Sequence, residues 1–552
     1  MWQQVYDPLN SQALSALVAA VPILVFLLGL TLLKMKGVNA ALISLATAVA
    51  LAVFIFGMPF AASISAIGYG FLSGMWPISW IVLMAVWLYR ITVRAGNFDI
   101  IRGSVSAISA DQRIQVLLIA FCFGGFLEGA AGFGIPIAIC AALLVTLGFE
   151  PVKACLLALV SNVASGAYGA IGIPVLTGST VSGVPQAELN LMMIWVLQVI
   201  TIFIPLLLVM LLDGIRGLKQ TGLLALGLGF VVSASQAGVL LALGPELVDI
   251  LPFLLGLIVL ALTMMKWQPA HIYREPGAPS LAELEKSTTA FSFNSVVKAW
   301  SPFIVLSIMI LLWSTPIIKN LVVAASKTTE AGPLNWTTIP VQMPALHGQI
   351  SQVAPIVAEP TAMKAVWNWN LLGASGTAIL IAALITIAIS NISWKAAFEE
   401  LGGAWKQLWR PILLICLVMA VANVMNFGGM SSALALALAA VGSIFPLFSA
   451  IIGWIGVFVT GSVVNNNTLF AGLQATTASQ IGANPGLLVA ANTAGGVMAK
   501  VVSPQSIAIA AASVNMSGQE SKITNAAIKF SLALLVILCI WVYLLSLFMP
   551  LS

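Results

Sequence analysis

Charge is what this chain has least of. Asp, Glu, Lys and Arg make up 7% of 552 residues, with 17 acidic and 22 basic side chains. A soluble globule needs far more charge on its surface, yet 61% of these residues are hydrophobic and the mean hydropathy is +1.08. Apolar runs near the ~20 residues that cross a bilayer recur throughout, and the two-residue alternation of an outer-membrane barrel is missing. The fold class is therefore an all-α polytopic membrane protein whose first partner is the lipid bilayer. The net charge of +5 resides in loops between runs, which excludes a nucleic-acid surface. Five cysteines all lie inside apolar runs without a CxxC pair, so neither a disulfide frame nor a metal site is expected. Only two histidines occur, His271 and His347, both in loops, which excludes a histidine proton relay within the membrane. A nucleotide-binding loop and a nucleophile–base pair are also lacking, so no cofactor and no enzyme chemistry are expected. The polar stretch Met1–Gln12 has no basic segment and does not read as a cleaved signal.

What is present is organised around one carboxylate, in Cys122-Phe-Gly-Gly-Phe-Leu-Glu128-Gly-Ala-Ala-Gly-Phe-Gly-Ile-Pro136. Two short apolar arms of about 13 residues, some 20 Å of helix each, flank glycines. They read as a re-entrant hairpin over residues 114–147. Non-helical backbone at membrane depth is tolerated only inside protein or beside a cavity, and an ionisable group there is a functional candidate by default, the alternative being a Glu satisfied by neighbouring hydroxyls or by a Lys. Of the 17 Asp and Glu, only Glu128 falls deep inside an apolar segment. A carboxylic acid withdrawn from water holds its proton more tightly, which suits a group that collects a proton on one side and releases it on the other.

The remaining spans are expected at Ala13–Leu33, Ala40–Phe56, Met75–Val93, Pro151–Pro174, Leu191–Leu212, Leu223–Leu243, Ile250–Met265, Trp300–Ile318, Leu371–Ile389, Pro411–Asn426 and Phe530–Met549. That gives about 12 crossings plus two re-entrant hairpins. The halves are residues 1–265 and 299–552. A cytoplasmic loop, 266–298, joins them, and an external loop, 319–369, interrupts the second half. Trp394–Trp409 is amphipathic and is expected to lie flat on the inner surface. Trp76, Trp80, Trp87, Trp300 and Trp313 stand at span ends as interface anchors. If the Lys34 loop is cytoplasmic, 18 of the 22 Lys and Arg fall inside, which puts the N-terminus outside.

A weak internal repeat links the halves. Ser161-Asn162-Val-Ala164-Ser-Gly166, running on to Pro174, matches Ala491-Asn492-Thr-Ala494-Gly-Gly496, running on to Pro504, at a constant offset of 330. The broken helices are 151–174 and 485–504, and the second hairpin is about 447–480. Glycine- and proline-interrupted segments in matching positions point to a transport site between inverted repeats. The inversion requires that Met430–Ile444 does not cross. Lys500 is the only deep base. It either pairs with a substrate carboxylate or snorkels to the inner interface. Asn162 and Asn492 either offer amides to an anion or hydrogen-bond neighbouring helices. Gly129 and Gly132 at the first tip are expected to bind substrate, and Asn465, Asn466, Asn467 and Thr468 form a polar second tip expected to contact substrate or to gate it. Ser503 and Gln505, beside Pro504, could line the same cavity.

Several stretches carry a resemblance. They are Gly-Phe-Leu-Glu128-Gly-Ala-Ala-Gly-Phe-Gly, Gly172-Ile-Pro-Val, Ala490-Ala-Asn492-Thr and Lys500-Val-Val-Ser-Pro-Gln-Ser-Ile-Ala-Ile. Together they resemble the bacterial L-lactate permease family over nearly the whole chain, starting from Trp2-Gln-Gln-Val-Tyr-Asp-Pro8. The resemblance implies a proton symporter of the inner membrane that takes up L-lactate and related 2-hydroxy acids such as D-lactate and glycolate. It also implies inverted repeats with opposed hairpins and a homodimer. Where the family commonly has an acidic residue after Gly-Ser in the second hairpin, this chain has Val463. Where the family tends to Asn-Thr-Ala-Pro, this chain has Asn162-Val-Ala-Ser165. Proton coupling then rests on Glu128. Sodium coupling at the amide-rich tips is the alternative, and a membrane-embedded enzyme a more distant one.

Overall fold

The computed structural model describes residues 1–106, 108–276, 278, 292–322, 332–390 and 392–549. Parts of the expected loops 266–298 and 319–369, and the last three residues, lie outside the described residues. Among the described residues, 11 helices are long and apolar enough to cross a membrane, or 12 if the bent pair Pro151–Ala164 and Gly169–Ser182 counts as one span. The helical body is capped on one face by short strands. Trp2–Gln3 pairs with Ile350–Gln352, which pairs with Thr361–Ala362, and Thr338–Gln342 pairs antiparallel with Val366–Asn370.

Two pairs of helices form hairpins whose bases lie on opposite faces. Gln112–Ala130 enters, the chain reverses through Ala131–Gly134, and Ile135–Thr146 returns. Gln112 Nε2 donates to the Leu147 carbonyl at 3.2 Å, so both ends of the first hairpin meet. The entering arm has 19 residues, longer than the sequence suggested, because Asp111 caps it early by accepting from the Arg113 amide. The second hairpin is Phe445–Thr460 and Val463–Ile481, turned at left-handed Gly461. Ser449 and Gln474 bond across its arms at 2.8 Å. Its base meets the strand-bearing face, where Gln480 Nε2 donates to Pro355 at 3.4 Å.

The first hairpin's base lies on the other face, held by the connection after Lys266. There Arg113, fully buried, contacts Asp111 at 2.7 Å, Asp213 at 3.0 Å and the His271 carbonyl at 2.7 Å. Lys153 and Glu275 pair at 2.6 Å beside it. Met430–Ala439 is a helix of 10 residues, about 15 Å long and too short to cross. The two hairpins therefore enter inverted.

Each hairpin's return arm packs on the other repeat's broken helix. Val463–Ile481 lies against Gly169–Ser182, and Ile135–Thr146 against Pro504–Ser513. This exchange brings both tips to one point in the middle of the protein. A third close pair forms where Ile204–Ala242 doubles back at Gly214, whose φ of 61° and ψ of −147° no side chain tolerates well. The two legs lie antiparallel. Ser233 bonds the Gln198 carbonyl at 2.7 Å and Asn190 the Leu240 carbonyl at 3.1 Å.

Several expectations are corrected. The stretch before Met75 is not a connection but a helix, Phe60–Ser73, joined through a kink at Trp76 to Trp80–Arg94. Trp394–Phe427 is one helix of 34 residues, so its amphipathic start does not lie flat as a separate element. It packs on the end of Trp80–Arg94 instead, through Arg90–Glu400 at 2.8 Å. Trp87 is no interface anchor: it is buried and donates to the Ala397 carbonyl at 2.7 Å. Glu128 is not the only deep carboxylate, because Asp249, 1% exposed, packs against Gly129 near the first tip.

Candidate functional site

Glu128 lies two residues before the end of the first hairpin's entering arm and is 2% exposed. Its Oε1 accepts from Lys500 Nζ at 2.5 Å, and its Oε2 accepts from Asn162 Nδ2 at 2.9 Å. Lys500 stands at the last position of Pro485–Lys500, where the open carbonyls of a helix C-terminus favour a cation. Asn162 closes Pro151–Ser161, where the first broken helix loosens into a 3-10 turn. Two residues distant in sequence, one from each repeat, thus meet on the Glu128 carboxylate. Gly169 sits so close to Glu128 Oε1 that any side chain there would overlap it. Just beyond, Ala170, Ile171 and Gly172 all take left-handed φ, at 47°, 62° and 74°. For the first two this costs about 1–2 kcal/mol each, an expense seen mainly where a site demands the shape.

The ion pair opens on a cavity of about 70 Å³ lined by both tips and both broken helices, among them Gly132, Gly166, Gly169, Ser462 and Gln505. At about 10–15 Å³ per water-sized group it holds roughly five to seven such groups. Phe133, Ser462 and Gln505 also line a second cavity of about 580 Å³, with Lys36, Arg410 and Asn465 around it. Lys36 lies one span from the N-terminal strand, so the second cavity opens on the face opposite the strands. In this conformation the ion pair faces that side.

The expected site residues separate into two groups. Glu128, Gly132, Lys500 and Gln505 line the first cavity, Asn162 touches Glu128, and Asn465 lines the second cavity. Asn466, Asn467 and Asn492 face other helices, and Thr468 bonds back within its own helix. Asn467 donates to the Pro174 carbonyl at 2.8 Å and accepts from Asn492 at 2.9 Å. Asn466 donates to the Asn492 carbonyl at 3.2 Å, and Thr468 to the Val464 carbonyl at 2.9 Å. The asparagine bonds tie the second tip to both broken helices, as packing asparagines do in membrane bundles. Ser503 caps the helix Pro504–Ser513. Gly129 faces away from the cavity, against Asp249.

Sequence reasoning missed Gly166, Gly169, Ser462 and Asp249. The first two form part of the Gly-Ala-Tyr-Gly-Ala-Ile-Gly-Ile-Pro174 run, whose glycine spacing was the available signal. Asp249 gave none, since it directly precedes an apolar run and reads as a loop end.

The L-lactate permease family model matches residues 15–549. An L-lactate permease of Halalkalibacterium halodurans is 45% identical over 551 residues, covering 99% of this chain and 100% of that protein. A glycolate permease of Escherichia coli (strain K12) is 43% identical over 540 residues, covering 96% and 95%. An L-lactate permease of Bacillus subtilis (strain 168) is 41% identical over 562 residues, covering 98% of each. Among solved structures, a transporter of Alcanivorax borkumensis aligns with a TM-score of 0.46 at 13% identity, covering 88% of each chain.

Proposed function

The chain belongs to the L-lactate permease family, and from that premise we propose that it carries L-lactate into the cell together with protons. Related small 2-hydroxy acids, D-lactate and glycolate among them, share the carboxylate and hydroxyl that the site would bind. The membrane is the bacterial inner membrane, with the N-terminal strand outside and the Lys36 face inside, as the basic loops favour.

The observation that carries this reading is the Glu128–Lys500 pair at the wall of a lactate-sized cavity. A buried ion pair is costly to break, about 3–5 kcal/mol when one partner is lost, because a bare charge remains. Lactate solves this by substitution, its carboxylate replacing that of Glu128 on Lys500. Glu128 then has no cation and takes a proton. Lactate binding and proton binding therefore favour one another, and the coupling is reciprocal. Asn162 Oδ1 is buried without a partner among the described residues, so it is the acceptor we assign to the substrate hydroxyl. Ser462 and Gln505 supply polar wall on the second tip. Asn466, Asn467 and Asn492 hold the tip in register, and Ser503 fixes the start of the helix bearing Gln505.

The test is uptake of labelled L-lactate into proteoliposomes under an inward proton gradient, with and without sodium. Accumulation driven by protons alone is expected. In Glu128→Gln, accumulation is lost while exchange of internal for external lactate persists. A strict sodium requirement would move the coupling to the unpartnered amide oxygens, and loss of exchange as well in Glu128→Gln would make Glu128 structural.

A further inference from the structure

Asp249 is the second deep carboxylate of the transport region, and nothing in the mechanism above uses it. It lies in the turn between Pro245–Leu247 and Leu251–Lys266 and is 1% exposed. Its Oδ1 accepts from Gln236 Nε2 at 3.2 Å, and Gln236 also donates to the Ala164 carbonyl at 3.2 Å, beside the break that follows Asn162. Its Oδ2 meets no hydrogen-bond partner, and Asp249 forms no ion pair among the described residues. A Cβ at Gly129, the residue after Glu128, would stand 2.6 Å from Asp249 Cβ, so Asp249 packs on the same hairpin arm one residue along from Glu128. The titratable groups around Asp249 are Glu128, Tyr168 and Lys500, with Cys122 further along the packed arm.

Charge balance fixes its state. Lys500 is the one cation in this group, and Glu128 already holds it. A second unpaired negative charge at this depth is far costlier than a neutral acid. Asp249 is also placed between the site and the other face. Glu246, three residues earlier, lines a cavity of about 470 Å³ on the strand-bearing side, with Trp313, Asn368, Asn370 and Ser375. Ser375 donates to Glu246 at 3.5 Å. The substrate cavity opens to the opposite face, so Asp249 approaches Glu128 from the side lactate does not occupy in this conformation.

We infer that Asp249 is a second proton-carrying residue, which takes protons from the strand-bearing face and passes them to Glu128 by a route separate from the substrate cavity. The inference rests on the symport reading above. When lactate takes Lys500, the O–H bond of the Asp249 acid breaks and an O–H bond forms on Glu128. The Asp249 carboxylate is reprotonated from the cavity at Glu246. When lactate leaves to the opposite face, Glu128 regains Lys500 and releases its proton there. One proton accompanies each lactate.

The experiment compares wild type, Asp249→Asn and Asp249→Glu in proteoliposomes, measuring both proton-driven accumulation and lactate exchange across external pH. At one proton per lactate, a gradient of one pH unit supports about tenfold accumulation in wild type. Asp249→Asn is expected to equilibrate lactate without concentrating it and to lose the dependence on external pH, while exchange remains measurable. Asp249→Glu, which keeps an ionisable proton, is expected to restore accumulation with a displaced pH profile. Accumulation by Asp249→Asn equal to wild type overturns the inference. So does loss of exchange in both variants, which assigns Asp249 to packing alone. If wild type itself fails to accumulate lactate on a proton gradient, the symport reading fails first, whatever Asp249 does.

Discussion

Under the proposed symport, Asn162 would connect Glu128 to the substrate, because its Nδ2 donates to Glu128 Oε2 at 2.9 Å while its Oδ1 has no partner among the described residues. A hydrogen bond to a charged group contributes about 1.5–3 kcal/mol. Asn162→Ala is therefore expected to slow lactate uptake roughly 10- to 100-fold, in proportion to that energy. Asn162→Asp, which sets a like charge beside Glu128, should be worse, and initial uptake rates in proteoliposomes distinguish the two. Glu128, Lys500 and Asn162 were legible in the sequence because a charge or amide is conspicuous in an apolar run. Asn466, Asn467, Thr468 and Asn492 were equally conspicuous, yet the three asparagines bond between helices and Thr468 bonds within its own. Sequence shows that an amide is buried but not which way it points. Asp249 was illegible for the opposite reason, since its burial comes from Gly129 packing over it from a segment 120 residues away in sequence.

The first broken helix is the element that shapes the site. Gly172 has a φ of 74°, and a Cβ there would come within 2.6 Å of the Pro245 backbone. Gly172→Ala should destabilise the protein by more than ~1 kcal/mol, since both backbone and space resist it. Gly227→Ala lies in an exposed helical position with open space around it and should be neutral or better. Thermal unfolding of the purified proteins in detergent tests the contrast. The helices, both hairpins and the repeat offset could be read from apolar runs interrupted by glycine and proline. The reading failed at joints. Nothing local in Trp394–Phe427 shows that Pro411 continues the helix instead of ending it, and the kink at Trp76 hid Phe60–Ser73. Such outcomes depend on what packs alongside, here Arg90 and Trp87 holding the helix start.

At the scale of the whole molecule, one conformation is present, with the ion pair open toward the Lys36 face. All five native cysteines are free and buried, so they leave little background for thiol labelling. Gln505→Cys is expected to react with a membrane-impermeant maleimide from the Lys36 face and to be protected by lactate. Asn368→Cys, in the cavity by Glu246, should react only from the opposite face. Equal reaction of Gln505→Cys from both sides would contradict a site open to the Lys36 face alone.

The strand at the start of the chain carries a consequence of another kind. Trp2 and Gln3 pair with Ile350 and Ser351, and Gln4 donates to the carbonyls of Asn426 and Phe427 at 2.8 and 2.9 Å. The strand partners Ile350 and Ser351 are made only after more than half of the protein, and Asn426 and Phe427 only after more than three-quarters. At about 5–20 residues per second, the first residues wait roughly 20–85 s for residue 427. The earliest part of the chain to be made is therefore among the last to be fastened. A tag fused ahead of Met1 would occupy the place where this late closure happens, and an affinity handle is better carried after Ser552.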